Sequence, residues 1–508
     1  MRVNHVKVGI VLSYVLMILD AIYGFIVTPI LIKFAGTGDY GVYKTIASFT
    51  ASVMILDLGL GDATIRYVSK YCSQKEEDKI PNFLAMIMVL AVVLSFLTAA
   101  VCFALSFLVG PLYGASFTNE QLGLAYKIFL VCSINVVTNI VANVFNGIIS
   151  GLNKFAISRA ISVTKILARI VLGIVVIVIT KNILLFVCLD LAIVLLAVLF
   201  EICIIRFKFK VRIKLSKWDK ALFAELTKFS LLLFAIAVAG QICNNLDNVI
   251  IGSICGPDYV AVYSVSLVIF VMFGSIACAV SGVMLPTITQ ILNEDDYQEK
   301  IVKLLIKVGR LQFILLAAAS VGFAILGRDF ISVWLGAGFE DAYLITLILI
   351  VPSMFEYCIN TALSILKAKN LLGFRAFALI LACVLNLITT IVLVKYWSYI
   401  GAAIGTSVTY LVCSLFMMNI YYSKKLKLPM GKIYLGILSK LWLCLLIAGG
   451  TLYIYSLFVN GTIYSLIGGI VVFCLVYSFC LLTFGLNREE KARLPILGKR
   501  FESKGIDK

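Results

Sequence analysis

Residues 157–180 read ISRAISVTKILARIVLGIVVIVIT, an apolar stretch long enough to cross a bilayer as one helix. A hydrocarbon core about 30 Å thick takes about 20 such residues, because each helical residue rises about 1.5 Å. Similar stretches recur from the first residues to residue 486. The chain is 62% hydrophobic and 14% charged, whereas a soluble domain carries roughly 25% charged residues. The sequence therefore predicts an all-α polytopic membrane protein.

Apolar runs bounded by charged residues, Gly or Pro divide the chain into 14 predicted transmembrane helices. The first six lie near residues 8–34, 42–65, 82–109, 124–149, 157–180 and 183–205. The next six lie near residues 229–255, 260–285, 311–335, 342–366, 374–394 and 401–422. The last two lie near residues 434–458 and 463–486. An even number of crossings puts both termini on one side of the membrane.

The basic residues indicate which side that is. Most of the 43 Lys and Arg residues fall in alternate loops and in the two termini, and basic loops are retained in the cytoplasm. The predicted topology is therefore N-in and C-in. The same bias accounts for most of the net charge of +17, so no nucleic-acid partner is predicted. The basic run from Arg206 to Lys220 favours contact with anionic lipid headgroups over a protein-docking site.

Two parts of the sequence resemble each other at a nearly constant offset. Residues 36–43 read GTGDYGVY and residues 256–263 read GPDYVAVY, with 220 positions between the two starting glycines. Arg159-Ala160 precedes Arg375-Ala376 by 216 positions. Either match alone is weak, but the shared offset indicates two pseudo-symmetric six-helix lobes. Because the offset spans an even number of helices, the lobes share one orientation, and the substrate path is predicted between them.

This repeat sets the predicted domain organisation. The segments are an N-lobe at 1–206, a basic cytoplasmic linker at 207–228, a C-lobe at 229–423, helices thirteen and fourteen at 424–486, and a basic cytoplasmic tail at 487–508. The last helix pair lies outside the repeat and is predicted to be an appendage.

Lys165 and Arg169 are the most informative charged residues. Counted from Ile157, they lie roughly 12 and 18 Å deep, near the middle of the bilayer. Their i, i+4 spacing places them on one helix face, and each charge in hydrocarbon costs at least ~2.5 kcal/mol. One interpretation is a site for a diphosphate or acidic sugar, together with Arg66 as a further basic candidate. The other is an ion pair with a carboxylate such as Asp190 or Asp57, and the two interpretations are compatible.

Other polar residues in the apolar helices are candidates for a hydrated cavity or a coupling-ion site. Asp20 lies near the middle of the first helix, where it is either a proton or sodium site or a hydrogen-bonded structural carboxylate. The seventh helix is unusually polar around Asp247, which favours cavity lining because amides are costly against lipid. The full set of these candidates is Asp20, Asp57, Asn244, Asn245, Asp247 and Glu356.

Motifs of enzymes and metal proteins are not found in the sequence. It contains neither GxxxxGK[ST] nor GxSxG, its only histidine is His5, and its 14 cysteines are scattered singly. No catalytic residue, metal or cofactor is therefore predicted, and H+ or Na+ remain candidate coupling ions. A membrane glycosyltransferase or polymerase would need a large extramembrane loop with acid, base or metal-binding groups, which is also missing.

Several short motifs resemble the polysaccharide-unit flippases of the multidrug/oligosaccharidyl-lipid/polysaccharide exporter superfamily. They are Leu56-Asp57-Leu58-Gly59-Leu60-Gly61 leading to Arg66-Tyr67, Asp247 followed by Ile250-Ile251-Gly252, residues 256–263, and Gly151-Leu152-Asn153-Lys154. The resemblance covers essentially residues 1–486 and agrees with helices in 6+6+2 order.

The resemblance implies a two-lobed bundle with a cationic cavity in the bacterial inner membrane. Such a protein moves undecaprenyl-diphosphate-linked repeat units from the cytoplasmic to the periplasmic leaflet for O-antigen, capsule or exopolysaccharide synthesis. A polymerase and a co-polymerase are the implied protein partners. Lys165 and Arg169 fit the expected cationic cavity as candidates.

Two rival functions belong to the same superfamily. A lipid-linked peptidoglycan-precursor flippase also has fourteen helices, whereas cation-coupled multidrug exporters typically have twelve. A drug exporter would give cation-dependent resistance without a polysaccharide defect. A scaffold that transports nothing would leave the two mid-membrane cations unexplained.

Overall fold

The computed structural model describes residues 2–211, 245–281, 284–369, 371–458 and 462–487, together with residues 213, 214, 218, 220, 223, 490 and 491. Within these ranges all regular secondary structure is helical, and 11 stretches are long and apolar enough to cross a membrane. The protein is therefore an all-helical, multi-pass membrane protein. The total of fourteen crossings and the N-in, C-in orientation stay predictions. Most of the predicted seventh helix, 229–255, lies outside the described residues.

The first part of the chain forms seven helices. They are α1 (Arg2–Ala35), α2 (Thr37–Ala51), α3 (Leu60–Gln74), α4 (Ile80–Tyr113), α5 (Asn119–Gly151), α6 (Phe155–Thr180) and α7 (Ile183–Cys203). Helix α7 continues as a π-helical turn over Ile204–Lys208.

The second part begins with helix α8, described over residues 245–254. It continues with α9 (Pro257–Ser281), α10 (Leu285–Ile291), α11 (Tyr297–Leu335), α12 (Asp341–Ile359), α13 (Thr361–Ala368), α14 (Gly373–Thr409), α15 (Met418–Lys425), α16 (Met430–Leu438), α17 (Leu441–Phe458) and α18 (Ile463–Cys480). Non-helical dihedral angles at Trp397 and Ser398 break α14, where the sequence predicts the boundary between two transmembrane helices.

The predicted second helix, 42–65, is not continuous. Helix α2 tightens into a 3-10 segment over Ser52–Asp57, and Leu58 and Gly59 then adopt left-handed conformations with φ of 51° and 65°. Such φ values cannot continue a right-handed helix. The hydrophobic pattern alone does not reveal this break, because both sides of it are apolar.

The chain divides into two compact units, of which the first comprises Met1–Val268 and Leu379–Thr406. In it α1 packs along α6, while α5 contacts α2, α3, α4 and α7 and so lies at the centre of the packing. A buried apolar cluster that includes Leu60, Phe83 and Ile148 forms a core of this unit.

The two matching sequence motifs, residues 36–43 and 256–263, touch each other inside this first unit. A Cβ atom built on Gly41 would lie 1.8 Å from the carbonyl oxygen of Pro257. A Cβ atom on Gly252 would likewise lie 2.5 Å from Cγ2 of Thr45. Only glycine permits this backbone approach, which explains a glycine inside the buried face of α2.

Replacing Gly41 with alanine is therefore expected to destabilise the first unit by about 1–3 kcal/mol, because the new methyl group overlaps backbone atoms that cannot rotate away. The measurement is thermal unfolding of the purified protein in detergent. Gly123→Ala in α5 is the matched control, since a Cβ there meets nothing within 4 Å. Equal melting temperatures for the two variants would contradict this interpretation.

The second unit comprises Ile269–Ala378 and Ser407–Lys508 and is organised around α11. Arg310 of α11 is only 1% exposed, yet its guanidinium is fully engaged. Its Nε donates to Glu490 Oε1 at 2.8 Å, Nη1 donates to the carbonyl oxygen of Ser439 at 2.9 Å, and Nη2 donates to that of Gly485 at 3.0 Å. This single side chain ties α11 to the α16–α17 junction, the end of α18 and the tail.

Glu490→Gln is expected to lower the stability of the second unit by about 1–3 kcal/mol, because it leaves the buried guanidinium without its carboxylate. Burial raises the pKa of Glu490, but its hydrogen bonds to Arg310 and to the Asn487 N–H outweigh this and leave the pKa below its ordinary value. The stabilisation is then present above the ordinary glutamate range and is lost as pH falls through the lowered pKa.

Measuring the free energy of unfolding of both proteins at several pH values tests this predicted pH dependence. The difference between wild type and Glu490→Gln should shrink on acidification. Glu299→Gln is the control, since Glu299 pairs with Lys303 at an exposed position and should change nothing measurable. A difference that grows at low pH would show that another group controls the acid sensitivity.

Candidate functional site

Three adjacent helices of the first unit carry polar residues eleven positions apart. These are Asn135 and Asn146 on α5, Ser158 and Arg169 on α6, and Asp190 and Glu201 on α7. Eleven residues are close to three helical turns, so each pair lies on one face and about 16 Å apart along the axis. Hydrogen bonds join them into two layers, which we call the Arg169 layer (Asn135, Arg169, Asp190) and the Glu201 layer (Asn146, Ser158, Glu201).

The Arg169 layer is a fork-shaped ion pair. Arg169 Nε donates to Asp190 Oδ1, and Nη2 donates to Oδ2 at 2.6 Å. Asn135 Nδ2 donates to the same Oδ2 at 3.2 Å, and Asn139 in turn donates to Asn135 Oδ1 at 2.5 Å. Asp190 was one of the two carboxylates proposed for such a pair from the sequence. Arg169 is thus held in place by α7 and α5, with its Nη1 edge outside the ion pair.

Lys165 differs from Arg169 in its ion pairing. It lies one turn away on the same helix and is half-buried, but among the described residues no carboxylate lies within 4 Å of it. Asp20, Asp190 and Glu201 are all close enough to interact with it electrostatically. Lys165 therefore interacts at longer range with several acids and forms an ion pair with none of the described residues.

Asp20 of α1 faces this cationic pair. Its side chain is exposed and interacts electrostatically with both Arg169 and Lys165. One turn further along α1, a Cβ on Gly24 would lie 3.1 Å from Val268 of α9, so that α1 touches both α6 and α9. The sequence-predicted candidates Asp20, Lys165 and Arg169 are thus brought together.

Asp57 and Arg66 lie elsewhere in the unit. Asp57, in the 3-10 segment, accepts a hydrogen bond of 3.2 Å from Asn143 of α5, and its Oδ1 has no hydrogen-bond partner among the described residues. It does not pair with Arg169, which settles the choice between Asp190 and Asp57. Arg66 is exposed on α3, with its guanidinium 5.8 Å from the centre of the Tyr67 ring.

Asp247 is the centre of a second polar cluster in the first unit. The carboxylate is 4% exposed and accepts hydrogen bonds from the hydroxyl groups of Tyr263 at 2.5 Å, Thr406 at 2.7 Å and Thr390 at 3.1 Å. No Lys or Arg of the described chain lies within ion-pair distance of it. A buried negative charge that is solvated by three hydroxyls alone favours a bound cation or proton.

The other amides predicted near Asp247 are less informative. Asn245, the first described residue of α8, is half-buried, and Asn244 lies outside the described residues. Asn248, the next residue on this helix, donates to Ser48 Oγ of α2 at 2.9 Å and so joins α8 to α2.

Glu356 belongs to the second unit, where it contacts Arg375 at 3.5 Å. The two side chains line a narrow pocket with Asn360, Asn419 and Tyr434, and Asn419 Nδ2 donates to the Tyr434 hydroxyl at 2.9 Å. Glu356, a cavity candidate of the sequence analysis, thus lines a narrow pocket. Its charged pair is internal to the second unit.

Three comparisons with known proteins bear on the family. The sequence profile of the family described as polysaccharide biosynthesis protein matches residues 6–292, more than half of the chain. The chain belongs to this family. Among curated proteins, no sequence match is found. The resemblance inferred from the short motifs is therefore confirmed at the level of the family.

Solved structures show how the fold is shared. The lipid II flippase MurJ in an inward closed conformation has 18% identity and a TM-score of 0.70, over 93% of this chain and 98% of that one. An inward-facing multidrug resistance MATE family transporter of the MOP superfamily has 14% identity and a TM-score of 0.60, over 80% and 95%. The MATE multidrug transporter DinF-BH has 16% identity and a TM-score of 0.60, over 82% and 96%. At these identities the likeness establishes the fold of the family member and leaves its substrate open.

Sequence reasoning missed the partners that position the charges in this family member. The amides of α5 and Glu201 of α7 were not singled out, although their spacing of eleven residues could have revealed them. Lys44 of α2 was also missed; its Nζ lies 5.5 and 5.7 Å from the ring centres of Tyr40 and Tyr43. A cation held by aromatic faces carries no signature in the linear sequence.

Proposed function

We propose that this protein is a flippase for polyprenyl-diphosphate-linked oligosaccharide repeat units, which it moves from the cytoplasmic to the periplasmic leaflet for surface polysaccharide synthesis. The observation that carries the proposal is Lys165, a membrane-embedded cation without an ion-pair partner in the described structure, one turn from an Arg169 that is held in a fixed orientation. A diphosphate is the anion that suits this pair, since lysine supplies a point charge and arginine directed N–H donors. Membership of the polysaccharide biosynthesis family supports a sugar-bearing substrate.

The chemistry of the substrate divides it between two environments. Its polyprenyl chain is as apolar as the lipid and gains nothing by leaving it, whereas the diphosphate and sugars need polar partners throughout. In the first unit these partners are the Arg169 layer and Lys165 for the phosphates, with Asp20 facing them. The proposed path therefore carries only the headgroup, by alternating access of the two halves, while the lipid chain stays in the bilayer.

The sequence carries no ATP-binding motif. Driven translocation therefore needs an energy source other than ATP hydrolysis by this chain. We propose that a monovalent cation, H+ or Na+, binds at Asp247 and couples its gradient to translocation. The burial of this carboxylate and the absence of a basic partner nearby in the described structure support Asp247 over Asp20. Asp20 already has two cations in electrostatic range and thus needs no added ion.

A flipping assay in proteoliposomes tests the substrate class. A fluorescent undecaprenyl-diphosphate oligosaccharide, lipid II and a cationic dye are compared in the same vesicles. Faster flipping of the oligosaccharide than of lipid II supports the proposal, as does loss of surface polysaccharide when the gene is deleted. Preference for lipid II would instead support a peptidoglycan-precursor flippase, and dye export alone would support a multidrug exporter.

A further inference from the structure

Glu201, in the last turn of α7, is a buried acid that the proposed translocation does not use. Its side chain is 4% exposed and lies beside the apolar cluster that includes Val198 and Ile205. Its Oε1 accepts one long hydrogen bond, 3.5 Å from Asn146 Nδ2, and its Oε2 has no partner among the described residues. An ionised carboxylate in such surroundings is poorly stabilised, because neither water nor several donors replace its hydration.

The neighbouring hydroxyl groups are already committed to other acceptors. Ser150 donates to Ser158 at 3.1 Å, and Ser158 donates to Asn146 Oδ1 at 2.8 Å. Both serines are buried, at 4% and 2% exposed. The bonds therefore run in one direction, from Ser150 through Ser158 to Asn146, and end at Glu201. Neither serine hydroxyl is left to donate to Glu201 Oε2. This oxygen is therefore suited to carry a proton.

Lys165 of α6 is the charged group that faces Glu201. It lies seven residues after Ser158, which is two turns along the same helix face. From α5 the facing groups are Asn146 and Ser150, which do not ionise. Lys165 is thus the one nearby charge of the described structure that can compensate an ionised Glu201.

We propose that Glu201 is a proton-binding site whose occupancy is linked to the anion at Lys165, an inference that rests on the proposed function. While a diphosphate occupies Lys165, the lysine charge is neutralised and Glu201 holds its proton. When the anion leaves, the O–H bond of Glu201 breaks, the proton passes to water, and the carboxylate becomes the counter-ion of Lys165. Binding of the anionic headgroup therefore takes up a proton, and its release returns one.

A sodium ion is a poorer occupant of this site. Sodium needs several oxygen ligands, whereas Asn146 Oδ1 already accepts a hydrogen bond from Ser158 and Ser158 Oγ accepts one from Ser150. A fixed cation, Lys165, also lies in electrostatic range and repels a second one. A proton needs only the free Oε2 atom.

Proton uptake on ligand binding tests the proposal. The purified full-length protein is titrated with farnesyl diphosphate in weakly buffered detergent containing a pH indicator. Wild type should take up close to one proton more per bound diphosphate than Glu201→Gln. By linkage, the permanently neutral Glu201→Gln should also bind the diphosphate about tenfold more tightly, or better, at a pH where Glu201 of the free wild type is ionised. Glu120→Gln, which removes an exposed acid at the start of α5, should match wild type. Equal uptake by wild type and Glu201→Gln would overturn the proposal, as would uptake that Na+ suppresses.

Infrared difference spectroscopy gives a readout that does not depend on the substrate. Without ligand, acidification should produce the carbonyl band of a protonated carboxylic acid that is present in wild type and missing in Glu201→Gln. Loss of farnesyl diphosphate binding by wild type would count against the proposed function alone, because this band would still report the proton site. If the band persists in Glu201→Gln, the proton site lies on another residue.

Discussion

Reversing the charges of Lys165 and Arg169 together, to Glu in both cases, is expected to abolish flipping in proteoliposomes, with a loss of at least about a hundredfold. Each cation contributes charge-assisted hydrogen bonds of roughly 1.5–3 kcal/mol to a bound phosphate, and the reversed charges repel it. In cells the expected result is loss of surface polysaccharide.

The single variant Lys165→Gln tests the effect on substrate binding without an effect on folding. Arg169→Glu places two carboxylates at the Arg169 layer and is expected to harm folding, whereas Lys165 has no ion pair to disrupt in the described structure. The single Lys165→Gln protein should therefore melt like wild type and still flip poorly. Lys181→Glu, at the exposed end of the same helix, is the control for charge reversal. Normal flipping by a folded Lys165→Gln protein would remove Lys165 from the mechanism.

The second large effect is expected for Asp247→Asn. The amide keeps the size of the carboxylate, and its oxygen can still accept hydrogen bonds on one side, while its NH2 group can donate to a hydroxyl oxygen on the other. It carries no negative charge to bind a cation or a proton. Flipping driven by an imposed Na+ or H+ gradient should fall to the rate without a gradient, while thermal stability stays equal or rises, because a costly buried charge is removed.

The gradient assay also identifies the ion. Wild-type vesicles are tested with a Na+ gradient and a pH gradient separately, and the one that accelerates flipping names the coupling ion. Asp62→Asn, which removes an exposed carboxylate on α3, should respond like wild type. A gradient response that survives in Asp247→Asn would place the coupling site elsewhere. For a pH gradient, the next candidate is Glu201, the other acid proposed to bind a proton.

The sequence by itself was sufficient for the membrane class and for most of the helices. Apolar stretches about 20 residues long have one stable solution in lipid, since every backbone N–H and C=O must be satisfied within the helix. The positions of Lys165 and Arg169 on one face of α6 also follow from the sequence, because a helix of known start fixes depth and direction. The polysaccharide family was likewise recognisable from its short motifs.

Only the tertiary structure decided how the charges are used. Asp57 and Asp190 are both acids in or beside apolar helices, and no periodicity tells which one pairs with Arg169; the packing of α6 against α7 selects Asp190. The same packing leaves Lys165 without an ion pair in the described structure and buries Glu201 beside Asn146. The break after Asp57 escaped prediction for a related reason, since two left-handed residues interrupt a helix without changing its hydrophobicity. Hydrophobic pattern determines which segments enter the membrane, whereas the pairing of their polar groups depends on distances that exist only once the helices have packed.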